Sequence, residues 1–191
     1  MKSPTYHQLN RSRWVAITSI MSALALIGDY ILVVIPNVEL GSGILFVTAF
    51  LFGLEIAIWC VFVVSIIYAF INPWGPFIPG IWFTQLIGWT FLVIAGAILG
   101  RNSKKIRWSR EQVADLAIIG FITTLFFDLI TTAGYSWSFS IPYVVAIITG
   151  LPFIAIHVLS NTIIFPAIVP SLDRSLKQQL VLLDDNMEVS S

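Results

Sequence analysis

The sequence is short of charge. Only 10% of its 191 residues are Asp, Glu, Lys or Arg, against about 25% in soluble proteins. With 58% of the chain hydrophobic and a mean hydropathy of +0.92, a soluble core of this length has no room for so much apolar side chain. The chain reads as an integral membrane protein. Net charge is zero, so there is no basic excess to draw nucleic acid. A single cysteine, Cys60, lies in an apolar run and excludes a disulfide framework. Two histidines, His7 and His157, stand 150 positions apart (157 − 7), without the spacing of a metal site. No glycine-rich phosphate loop is present, so energy from ATP would have to come from partners. No cofactor is implied.

What the chain does have is long apolar runs broken at regular intervals. Six spans are expected, over about 14–35, 44–53, 56–71, 81–99, 113–133 and 142–168, between polar tails at 1–13 and 171–191. The first run is too long for the core of a signal peptide and more spans follow it, so cleavage is not expected. Residues 43–71 read as two spans rather than one, because 29 residues at ~1.5 Å rise overshoot a ~30 Å hydrocarbon core; Gly53-Leu54-Glu55 supplies the turn. Ser109 is a candidate cap for the fifth helix, with Glu111 and Gln112 in its first turn. Gly150-Leu151-Pro152 suggests a kink in the sixth helix, and Pro166 and Pro170 suggest its end. The second tail reads as a short surface helix that then frays.

Six spans put both termini on one side, and the positive charges test this arrangement. The ten Lys and Arg residues are Lys2, Arg11, Arg13, Arg101, Lys104, Lys105, Arg107, Arg110, Arg174 and Lys177. All fall on the side of the termini, which the positive-inside rule makes cytoplasmic. The outer side keeps three connections, 36–43, 73–80 and 134–141, and one loop charge, Glu39. Asp29 and Asp128 sit just beneath, inside the membrane ends of their spans, where a carboxylate is costly.

Candidate ligand contacts gather at that outer end. Asn37 and Glu39 either close over a ligand or merely cap the next helix with Glu39 in solvent. Asp128 reads as a pocket wall or as a partner of Thr131, Thr132 or Tyr135, and Asp29 leans to a structural role. Trp74, Tyr135 and Trp137 are placed to stack a flat heterocycle or to belong to the interfacial aromatic belt. Gln85 faces such a pocket from the fourth helix. Trp89, one turn deeper, is expected to pack. His157 and Asn161 are expected below the pocket as structural hydrogen-bond partners, with His157 and Asp128 at different depths. On the first helix, Thr18/Ser22 and Ser19/Ala23 form small-residue faces suited to close helix approach, internal or with a partner. No catalytic constellation is expected. An acidic, aromatic pocket without Lys or Arg favours ligands with cationic or amino-rich edges, of thiamine-like, pterin-like or deazapurine-like type, over free carboxylates or phosphates.

An ordered set of segments resembles the substrate-binding S components of energy-coupling factor (ECF) vitamin transporters, over about residues 14–175. It comprises the small-residue first helix, Pro36-Asn37-Val38-Glu39-Leu40, Leu51-Phe52-Gly53, Asn72-Pro73-Trp74-Gly75-Pro76, Gln85-Leu86-Ile87-Gly88-Trp89 and Gly96-Ala97-Ile98-Leu99-Gly100-Arg101. Phe127-Asp128-Leu129 and Leu159-Ser160-Asn161 complete it. The resemblance implies an all-α membrane protein with six transmembrane helices in an S-component-like bundle, set in a prokaryotic plasma membrane. It would capture one vitamin-like micronutrient at the outer face, with Asn72 joining the candidate contacts through its motif. It would deliver the ligand inward with a membrane scaffold subunit and two ATP-binding subunits. The family's first helix docks on the scaffold through an Ala-xxx-Ala-type face, for which Ser19/Ala23 is the nearest match here. Two other readings stay open: a small intramembrane enzyme using Asp29, Glu39 and Asp128 as acid and base, and a membrane assembly or scaffold protein.

Overall fold

The computed structural model describes residues 11–102 and 108–189. The expected tail 1–10, the basic segment 103–107 and residues 190–191 lie outside the described residues. Six helices follow one another: α1 (Arg11–Tyr30), α2 (Gly41–Phe52), α3 (Leu54–Phe70), α4 (Pro79–Asn102), α5 (Arg110–Phe139) and α6 (Tyr143–Val189). Among the described residues there is no strand.

The shortest helix holds the centre. All twelve residues of α2 are buried, and it packs on α1, α3, α4 and α6. A helix apolar all round belongs in an interior. Glycines let its neighbours come close: a Cβ on Gly96 of α4 would lie 2.7 Å from the Phe46 carbonyl oxygen, and one on Gly100 would strike the Phe50 carbonyl. Gly96 and Gly100 are four apart, so they share one face of α4. Around them Phe46 stacks on Phe50 (6.5 Å) and meets Phe165 (5.4 Å). The break between α2 and α3 falls where expected: Gly53 has φ 86°, backbone that a side chain resists.

Among the described residues, three helices are long and apolar enough to cross a membrane, Pro79–Gly100, Arg110–Phe139 and Tyr143–Gln178. Their outward faces are apolar. Ile94 and Ile98 on α4, Phe121 and Ile122 on α5, and Ile148, Leu159 and Ile163 on α6 are all exposed. The helices α2 and α3 are shorter, at 12 and 17 residues.

Three helix boundaries differ from the sequence reading. The first helix stops at Tyr30 rather than near Ile35; a residue before proline is driven out of helical backbone, and 31–37 form turns that end on Asn37 at φ 59°. Asp29 is thus in the last turn of α1. The aromatic stretch 134–139 is helix, not loop. A capping box starts α5, with Ser109 Oγ accepting from the Gln112 N–H (3.2 Å) and Gln112 Oε1 from the Ser109 N–H (3.0 Å). The helix runs to a left-handed Ser140, φ 54°. Pro166 and Pro170 do not end α6, which continues to Val189. Phe165 and Val169, beside them, are fully buried in the core, and that packing holds the helical path despite the lost N–H groups. Where α2, α5 and α6 converge, Trp108 Nε1 donates to the buried Asp173 (3.0 Å), which also pairs with Lys177 (2.7 Å).

Candidate functional site

At the end of the bundle that carries connections 31–40 and 71–78, a cavity of about 260 Å³ opens between them and α4, α5 and α6. Its lining joins Asp29, Asn37, Glu39, Asn72, Trp74, Gln85, Asp128 and His157 with Tyr68, Trp89 and Phe127. An acid-and-imidazole floor lies under aromatic walls. The walls hold one another in place: Tyr68 meets Trp89 edge-on at 6.1 Å, and Trp89 meets Phe127 at 5.4 Å. Phe127 sits edge-on to the His157 ring at 5.9 Å.

The floor is a chain of polar contacts across three elements. His157 Nδ1 and Asp128 Oδ1 are 2.8 Å apart, both side chains over nine-tenths buried. Nε2 of the same ring is 3.6 Å from Glu39 Oε1, beyond a hydrogen bond. Glu39 Oε1 accepts from Asn161 Nδ2 (3.2 Å), which also donates to Thr124 Oγ1 (3.1 Å). Glu39 Oε2 accepts from the Ser42 N–H at 2.7 Å. One carboxylate therefore does both things the sequence left open: one oxygen caps α2 and the other faces the cavity floor. Burial works to raise the Glu39 pKa, yet the His157 contact and the Ser42 N–H outweigh it and hold the carboxyl below its ordinary range.

The connection 31–40 is fastened over this floor. Asn37 Nδ2 donates to the Phe153 carbonyl (3.2 Å), and Ser160 Oγ donates to the Asn37 carbonyl (3.3 Å). Its far end is fixed by the Leu40 N–H donating to the Gly28 carbonyl (3.0 Å). Glycine suits position 41, since a Cβ there would crowd the Asp29 carboxylate and lie 2.8 Å from the Ala25 carbonyl oxygen. Opposite, Asn72 Oδ1 accepts from the Trp74 N–H (2.8 Å), a side-chain turn that stiffens connection 71–78.

Three buried polar atoms of the lining, Asp29 Oδ2, Asp128 Oδ2 and Thr131 Oγ1, have no hydrogen-bond partner, and His157 Nε2 has only the 3.6 Å contact with Glu39. Buried groups of this kind are almost always satisfied. Clustered around one cavity, they describe a place prepared for something polar.

Of the sequence candidates, Asn37, Glu39, Asn72, Trp74, Gln85 and Asp128 line this cavity. Tyr135 lines a second cavity beside it and packs on Phe139 (4.8 Å). Trp137 lines neither; it is 78% exposed near the end of α5, its ring against Gly80. His157 is the residue that sequence reasoning put in the wrong place. Because α5 extends to Phe139, Asp128 lies deeper than its expected span end, level with His157. Trp89 and Asp29 also join the lining. The small-residue faces of α1 separate. Thr18 and Ser22 are buried, with Cys60 Sγ against the Thr18 carbonyl (3.5 Å), while Ser19 and Ala23 are exposed. No group of three or more metal-ligating side chains is found among the described residues.

The chain matches no protein-family model, no curated protein and no solved structure.

Proposed function

We propose that this chain is the substrate-binding S component of an ECF-type importer in a prokaryotic plasma membrane. It captures a vitamin-like micronutrient in the cavity floored by Asp128, His157 and Glu39. The observation that carries this reading is the gathering of three buried polar atoms without a hydrogen-bond partner around a single cavity, in a bundle whose long helices turn apolar side chains outward. A cavity of this size with aromatic walls and a few convergent polar groups is what small-molecule sites look like.

In this reading all six helices cross the bilayer, both termini are cytoplasmic, and the cavity faces outward. The ten Lys and Arg residues support that orientation, since none falls in connections 31–40, 71–78 or 140–142. The short α2 is no obstacle: it is enclosed by other helices and needs no lipid-facing length of its own. The exposed Ser19/Ala23 face of α1 is the docking surface for a scaffold subunit, which brings two ATP-binding subunits. The chain itself binds and does not turn over its ligand.

The test is to purify the full chain in detergent and identify retained small molecules by mass spectrometry, alone and after co-expression with a scaffold and two ATPases. A retained heterocycle and a four-subunit complex are expected. A chain that retains no small molecule and captures no scaffold ends the proposal.

One observation favours a second reading. The Asp128–His157–Glu39 sequence of contacts is also how an acid–base relay is built, so an intramembrane enzyme using these groups with Asp29 is the alternative. It requires product formation by the chain alone, and Asp128→Asn should then abolish turnover while binding persists.

A further inference from the structure

Beside the first cavity lies a second, of about 350 Å³. The two share Asn72, Trp74 and Gln85 as common lining. Their chemistries are opposite. The first holds three carboxylates and an imidazole. The second has no Asp, Glu, His, Lys or Arg in its lining among the described residues. Its walls include aromatic pairs already in contact, Phe77 on Trp82 (6.1 Å) and Tyr135 on Phe139 (4.8 Å), and Phe70 stacks on Phe77 (4.9 Å) from outside the lining. Trp82 lines it, and the Trp82 Nε1–H is buried with no acceptor. An indole N–H out of water normally finds a partner.

We propose that the two cavities are one binding site in two compartments, taking an elongated ligand with a cationic, N–H-bearing head and a flat, uncharged tail that carries a hydrogen-bond acceptor. This rests on the first cavity being a ligand site. The head sits against Asp128, whose Oδ2 has no hydrogen-bond partner and accepts its N–H groups, with Asp29 in the same lining. The shared wall of Asn72, Trp74 and Gln85 flanks the junction. The tail lies among the rings of the second compartment, with its acceptor on Trp82 Nε1. Three acidic side chains against one imidazole, with no Lys or Arg in the lining, select against an anionic head. The absence of any charged group in the second compartment excludes a charged tail. Neither cavity exceeds the lower end of the range of ~300–1,000 Å³ typical of small-molecule sites by much, whereas the pair lies well inside it.

The experiment uses the full chain in lipid nanodiscs and three probes read by isothermal titration calorimetry. Benzylamine offers the head alone. 4-(Benzyloxy)benzylamine adds an ether acceptor and a second ring. Benzyl phenyl ether offers the tail without an amine. The expected result is that the long amine binds at least tenfold more tightly than benzylamine and the neutral ether binds least. Trp82→Phe, which keeps the ring and removes the donor, should cut the long amine's advantage several-fold. Ile81→Trp, at a lining residue of the second compartment, should fill it and erase that advantage. Asp128→Asn should weaken both amines.

Equal affinity for the two amines overturns the two-compartment site and leaves the first cavity standing. A neutral ether that binds as well as the long amine marks the second cavity as a lipid or detergent crevice and also overturns it. Binding by none of the probes overturns the head-and-tail assignment. The reading of the chain as a transporter subunit is decided separately, by the retained molecule and scaffold capture.

Discussion

The contact between Asp128 and His157 makes the sharpest prediction. At 2.8 Å, with both side chains over nine-tenths buried, it holds α5 to α6 at the cavity floor. Removing one partner of a buried, paired group costs roughly 3–5 kcal/mol, because the other is left in a low dielectric. Conservative changes keep shape and soften that loss, since an amide still hydrogen-bonds. Asp128→Asn and His157→Gln should each destabilise the folded chain by about 2–3 kcal/mol, the range of a hydrogen bond to a charged group. The double variant should cost clearly less than the sum, with a coupling of about 1.5–2 kcal/mol, well beyond the ~0.5 kcal/mol within which independent sites add. The Glu39 contact supplies the internal control. Its 3.6 Å to Nε2 is beyond a hydrogen bond, and Glu39 keeps Ser42 and Asn161 whatever happens to His157. Glu39→Gln with His157→Gln should therefore couple less than half as strongly. The assay is unfolding in mixed micelles titrated with SDS, followed by tryptophan fluorescence. Additive Asp128 and His157 effects, or a Glu39 coupling as large as the Asp128 one, would refute the reasoning.

Three further predictions rest on other parts of the molecule. Gly96→Val should destabilise by at least 1–3 kcal/mol, the usual cost of overpacking, because its Cβ meets the Phe46 carbonyl at 2.7 Å. Gly43→Ala, whose nearest neighbour is 3.9 Å away, should leave the midpoint of thermal unfolding almost unmoved. Gly53→Ala meets no atom within 4 Å but forces a side chain onto φ 86°; about 1–3 kcal/mol of backbone strain should appear as a lower midpoint without any change in cavity binding. The folded-state pKa of Glu39 is held below the ordinary 4.5, so its ionisation favours the folded state. That contribution is complete above the ordinary value and is lost as pH falls through the lower folded one. Glu39→Gln should flatten this acid limb of a stability–pH profile, and an unchanged limb would place the loss elsewhere.

Much of the architecture was legible because it follows from composition and punctuation. Apolar runs separated by Pro36, Gly53, the Asn72–Gly80 stretch, the Ser109 cap and Pro142 mark out six helices with few alternatives. The break at Gly53 was readable from length and from one glycine. What was not legible was where helices end when tertiary packing overrules local chemistry. Ser136, Ser138 and the aromatics beside them look like a loop, yet Ser138 Oγ returns its hydroxyl to the Gly134 carbonyl (2.7 Å) and Gly134 packs on Thr84. That keeps the segment helical. Likewise Pro166 and Pro170 carry the stop signal of a helix, and Phe165 and Val169, buried beside them, override it. The glycine pair Gly96 and Gly100 was visible at its four-residue spacing, but nothing in the sequence says that α2 is what they admit.

The site was half legible for the same reason. Glu39 and Asp128 stand out as acids in an apolar chain, and the positive-inside count brings them to one end. His157 was misplaced relative to Asp128 because their relative depth depends on where α5 stops, and that boundary was off; α6 starts where expected, beside Pro142. A turn and a half added to α5 moves Asp128 inward by about 9 Å at ~1.5 Å per residue. That is enough to turn two residues on different levels into a contact. The consequence reaches past geometry. With His157 set between two carboxylates, Glu39 is no longer a lone acid on a surface loop. It is the point at which the connection 31–40 is tied to α6, through His157 and Asn161, while Asn37 ties the same connection to Phe153 and Ser160. In the proposed reading a ligand on Asp128 therefore binds directly beside the contacts that fasten the segment above it.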